Sequence, residues 1–131
     1  MYNRNVPVYL PRTKVTILVP KVMAKLIFEL NYKGLTTIRS EINDQNDAII
    51  EFDHYETFRR NLKRWQSSPE QADKALWTFL KNNVSIELHL IDIDAAANIM
   101  LLEHPYTPII KLSATKLDEF CSLFYASKFT K

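Results

Sequence analysis

The hydrophobic positions change period several times along the chain, and each change marks an element. KVTILV (14–19) is a β-branched run that reads as a strand, and Pro20 follows at a favourable first helical position. Over 20–33, Val22, Met23, Leu26, Ile27 and Leu30 fall on one side, with Lys21, Lys25 and Glu29 on another. That spacing predicts a helix whose apolar side covers a sheet. LTTIRSEI and DAIIEFD flank Asn43-Asp44-Gln45-Asn46, the signature of two paired strands joined by a hairpin-length turn.

In FDHYETFRRNLKRW, Tyr55, Phe58, Leu62 and Trp65 recur at 3, 4, 3 spacing and Asp53-x-x-Glu56 forms a capping-box pattern, so a helix is expected over 54–66. Ser68-Pro69-Glu70 starts a third helix over 69–82, with Ala72, Leu76, Phe79 and Leu80 as its apolar stripe. From Val84 the period becomes two, the pattern of a half-buried strand. AAANIMLLE (95–103) reads as a short helix, 108–113 as a strand and 115–127 as the last helix, capped by Ser113 or Thr115.

Residues 1–12, with Pro7 and Pro11, read as an extended N-terminal arm or edge strand, because proline cannot donate to a central ladder. The remainder, 13–131, reads as a single domain, in keeping with a length of 131 residues. The fold class is α+β: a mostly antiparallel sheet with helices packed on it. A ferredoxin-like β-α-β-β-α-β core over 13–91 is the nearest common motif, extended by a C-terminal β-α unit. The units 13–33 and 107–128 place their apolar residues alike, as in an internal pseudo-repeat.

Composition narrows the chemistry. Hydrophobic residues make up 47% and charged ones 24%, as in an ordinary globular chain. No apolar run approaches the ~20 residues that span a bilayer, and the start lacks an apolar secretory segment, so the expectation is a cytoplasmic protein without membrane contact. Gly34 is the only glycine and sits at the expected end of the first helix, where a left-handed cap belongs. Phosphate-cradling glycine loops and nucleophile elbows cannot be built from one glycine. Cys121 is the only cysteine, which excludes intrachain disulfides and multi-cysteine zinc sites, and its place in an apolar stripe makes it a buried small hydrophobe.

Three functional readings follow. Residues 1–40 carry seven Lys or Arg against Glu29 alone, whereas 41–56 carry six acids and no base. Separated charge blocks, the absence of catalytic motifs and the proline-bearing arm point to a non-catalytic binding or regulatory domain acting through protein partners or self-association. Tyr2, Tyr9 and Tyr106 are its candidate anchors.

The second reading is a nucleic-acid accessory protein that uses Arg59, Arg60, Lys63 and Arg64, helped by Lys21 and Lys25. Against it stand the segregation of the helix's rings from its cations, the available Glu56 pairing with Arg59 or Arg60, and a net charge of only +2. The third is a small metal-dependent enzyme around Glu87, His89, Asp92 and Asp94, where imidazole and carboxylate share a strand face and two acids follow at its end. His54 and His104 have no ligand spacing with His89, and no cofactor is expected.

Overall fold

The computed structural model describes residues 4–86, 93–98 and 107–127, with the backbone alone of residues 95 and 96. Strands Asn5–Leu10 (β1) and Val15–Pro20 (β2) form an antiparallel ribbon, closed by a turn in which Lys14 adopts φ 59° and donates its N–H to the Leu10 carbonyl at 2.7 Å. Within the segment 1–12, Asn5–Leu10 thus form a strand of this ribbon. A single 3-10 turn, Lys21–Met23, leads into helix Ala24–Tyr32 (α1).

The end of α1 follows from one residue. Gly34 has φ 102°, its N–H bonds the Asn31 carbonyl at 3.0 Å, and the Leu35 N–H reaches back to the Leu30 carbonyl at 2.9 Å. This double closure is a Schellman motif, and the buried Leu30 and Leu35 supply its apolar contact. Asn31 then anchors what comes next. Its Nδ2 donates to the Ile27 carbonyl (2.8 Å) and to Thr37 Oγ1 (3.0 Å), while its Oδ1 accepts the Thr37 N–H (3.1 Å).

Strands Thr37–Ile42 (β3) and Asp47–Phe52 (β4) form the expected hairpin. Asn43 Oδ1 accepts the N–H groups of Gln45 and Asp47, and Asn46 takes φ 62°, a conformation that asparagine tolerates. Helices Tyr55–Ser67 (α2) and Gln71–Asn83 (α3) follow, then strand Ser85–Ile86 (β5), helix Ile93–Asn98 (α4), strand Ile109–Ser113 (β6), a 3-10 turn and helix Leu117–Ala126 (α5). The short helix expected over 95–103 is observed as 93–98; residues 99–103 lie outside the described residues.

The architecture is α+β, with every described strand pair antiparallel. The larger sheet has the order β3-β4-β6-β5. These pairings do not confirm a ferredoxin-like core, which needs β2 beside β4: here β4 is flanked by β3 and β6, and β2 is claimed by its hairpin neighbour β1. A four-residue turn makes that local pairing cheaper in chain entropy than a crossover.

One apolar core joins ribbon, sheet and helices, with Phe124, Met23, Ile27, Phe52 and Ile50 among its fully buried members. Helix α1 packs against α5 and the ribbon, whereas α2 packs against α3 and α4. The two strand-then-helix units noticed in the sequence both carry a 3-10 turn before the helix, and their helices are neighbours. Among the described residues, no helix is long and apolar enough to cross a membrane.

Candidate interaction surfaces

Helix α2 segregates its side chains as its spacing predicts. Tyr55, Phe58, Leu62 and Trp65 are buried, Phe58 stacks on Phe52 at 4.9 Å, and Trp65 meets the Phe124 ring edge-on at 5.8 Å. Each such burial contributes roughly 1.5–3 kcal/mol, so these rings hold the helix down and are withheld from any ligand. The capping box is not what starts the helix. Asp53 still belongs to the sheet end through its N–H bond to the Thr36 carbonyl (3.1 Å), His54 occupies the cap position without a side-chain bond, and Glu56 turns instead to Arg59.

The outward face is partly spoken for. Arg59 Nε donates to Glu56 Oε1 at 3.1 Å, and Lys63 Nζ to Asn98 Oδ1 at 2.6 Å. Arg60 and Arg64 are exposed and make no ion pair among the described residues. They border a shallow groove between α2 and α3 whose other wall includes Glu70 and Asp73. A phosphate entering there would meet carboxylates as well as cations. Lys25 stands on α1, which packs against α5 and the ribbon, and Lys21 precedes that helix at the base of the ribbon, where its N–H bonds the Arg4 carbonyl.

Of the proposed catalytic group, Glu87, His89 and Asp92 lie outside the described residues, as do His104, Tyr2 and Tyr106. Asp94 is exposed on α4, and its Oδ1 accepts a hydrogen bond from Gln66 Nε2 at 2.8 Å, which ties α4 to α2. Among the described residues, no three His, Cys, Asp or Glu side chains gather as metal ligands. Cys121 is buried in α5; burial pushes its thiol up from the ordinary value, opposed by the nearby Lys25 ammonium. It is a packing residue, as its apolar stripe implies.

The charge blocks of the sequence meet at one point among the described residues. From the basic block, Arg39 alone pairs with the acidic one among the described residues, at 3.1 Å to Glu41 and 3.0 Å to Glu51. Glu51 is held below the ordinary carboxyl value by the Thr107 hydroxyl (2.7 Å), against desolvation and with help from Arg39. Lys33 is used differently. Its Nζ donates to the Phe124 and Tyr125 carbonyls at 2.9 and 3.0 Å, closing the C-terminus of α5, and desolvation lowers its pKa.

The surface that pattern reading missed is the outer face of the ribbon. The register places Pro7 opposite Leu18 and Tyr9 opposite Thr16, so these four share the side that points away from the buried Val8, Leu10 and Val19. Leu18 is 67% exposed and Tyr9 54%. Arg4 and Lys21 stand at the base of the ribbon and Arg12 and Lys14 at its turn, all exposed, and residues 1–28 contain no acid. A partial signal was present in the sequence: Val15, Ile17 and Val19 alternate with Thr16 and Leu18, but reading the β-branched run as a strand does not say which of its two sides is covered. Comparison with protein-family models, curated proteins and solved structures finds no match to this chain, so the surfaces above carry the functional reading by themselves.

Proposed function

We propose that this chain is a non-catalytic binding domain that works through contact with another protein chain, and that the outer face of the β1–β2 ribbon is its contact face. The observation that carries this reading is Leu18, 67% exposed at the centre of a face shared with Pro7, Tyr9 and Thr16. An apolar centre with charges confined to the margins is the layout of a protein–protein patch. A nucleic-acid face distributes cations where the phosphates run and rings where bases stack. The partner that fits has an apolar centre and an acidic rim. Pro7 has no N–H to offer at the β1 edge, which disfavours strand addition there and favours a contact through the ribbon's face. A cytoplasmic setting, which keeps the lone Cys121 reduced, belongs to this proposal.

The test is site-specific photocrosslinking in the cell of origin, from position 9 on the ribbon and from the exposed position 71 on α3. A protein adduct from position 9 alone, lost when Leu18→Glu is added, is the expected result. Equal adducts from both positions, or an adduct to nucleic acid, would overturn the reading.

A further inference from the structure

We infer that the occupant of the ribbon is a second copy of this chain, in a two-fold dimer where each basic ribbon faces the other copy's acidic β3–β4 turn. This rests on the protein-contact reading above and deepens it. The first observation is complementarity. Arg4, Arg12, Lys14 and Lys21 are exposed, no acid lies on the ribbon, and none of these cations makes an ion pair among the described residues. The β3–β4 turn region carries Glu41, Asp44 and Asp47 with no cation between residues 40 and 58. Glu41 and Asp44 are exposed, and only Glu41 of the three has an ion-pair partner among the described residues.

The second observation is adjacency. Strand β2 packs against β3 with no hydrogen-bonded ladder between them among the described residues, so the basic ribbon and the hairpin that carries the acidic turn are neighbours on one molecule. A patch with its own complement beside it meets the condition for an isologous interface: under a two-fold axis, ribbon meets turn twice. The third is apolar surface of matching kind. Leu18 and Tyr9 are exposed on the ribbon, and Ile38 is 54% exposed on β3, whose outer edge has no strand partner among the described residues. Two ribbon-to-turn contacts would give the charges partners that the fold itself withholds, and would cover the apolar residues between them.

The experiment is sedimentation velocity of the full chain and of two charge-reversed variants, Arg12→Glu/Lys14→Glu and Asp44→Lys/Asp47→Lys. The wild type should sediment at twice the 15.4 kDa chain mass, and less so as salt rises from about 0.05 to 0.5 M. Each variant alone should dimerise at least about tenfold more weakly, because like charges then face each other. Mixed together they should recover a heterodimer, since both contacts again join opposite charges. The chain bearing all four changes should dimerise with itself, which separates lost complementarity from lost folding. A wild type that stays monomeric up to about 0.2 mM at low salt overturns the second-copy inference. So does a dimer indifferent to both reversals. A monomer that still gives the Leu18-dependent crosslink to a different protein would leave the protein-contact reading standing without this occupant.

Discussion

Asn31→Ala removes one buried side chain and strands two groups on another element. Asn31 is 3% exposed and is the only link from α1 to the first residue of β3 that uses side-chain hydrogen bonds among the described residues. Truncation leaves the Thr37 N–H without its acceptor, which costs about 1–3 kcal/mol, and deletes the bond to the Thr37 hydroxyl, about 0.5–1.5 kcal/mol. The Ile27 carbonyl keeps its place in the helix ladder, so losing the Nδ2 bond there adds little. Alanine's better helix propensity returns roughly 0.6 kcal/mol. The expected net loss is about 1–4 kcal/mol, a large share of the ~5–15 kcal/mol that holds a domain together.

Urea titration followed by circular dichroism measures it, with Asn61→Ala as the comparison. Asn61 is also buried, and its Nδ2 also bonds the carbonyl four residues back, Thr57 at 2.8 Å, but among the described residues it reaches no second element. Its truncation should cost less than about 1 kcal/mol, because the lost bond and the propensity gain offset each other. Adding Thr37→Val to Asn31→Ala should cost less than the two separate losses combined, since their shared bond can be lost only once. Equal losses at positions 31 and 61 would refute the argument, as would an Asn31→Ala protein within about 0.5 kcal/mol of wild type.

Three further outcomes follow from features already described. Gly34→Ala should destabilise by about 1 kcal/mol or more, because φ 102° is closed to a side chain with Cβ, and thermal melting reads it directly. Glu51 has a folded pKa below its ordinary 4.5, so the stability it contributes is fully present above that value and is lost as pH falls through the folded pKa. Glu51→Gln should therefore flatten the acid limb of a melting-temperature profile below about pH 4.5, and an unchanged limb would contradict the Thr107 and Arg39 contacts as its cause. Cys121 should react with a thiol reagent about 100-fold or more slowly in the native protein than in urea, since it is buried and its thiol is pushed up.

What sequence reading recovers here depends on whether the deciding interaction is local. The α2 wheel, the Gly34 cap and the Asn43–Asn46 turn are each settled within a few residues, and all three appear where their spacing puts them. The Asp53 cap fails for a non-local reason: Thr36 holds that residue's N–H in the sheet. Asn31 is invisible for the same kind of reason, because an asparagine four residues after Ile27 reads as a polar interruption until Thr37 arrives beside it. The ribbon face is the plainest case. A β-branched run announces a strand, and only pairing with β1 and packing on α1 decide that Val19 is covered and Leu18 is left in water.

The Lys33 closure of α5 spans 91 residues of chain, and it has a meaning in time. Helix α1 leaves the ribosome with Leu26, Ile27 and Leu30 on its apolar side, and α5, one of the elements that cover it, is made well after it. At about 5–20 residues per second, that surface waits roughly 5–20 s for its cover during synthesis. Any stop in translation before Phe120 and Phe124 are in place leaves a chain whose first helix is still open. Until α5 is made, the nascent chain carries an open apolar surface, and the time for which that surface needs shielding is set by the speed at which the residues between the two helices are made.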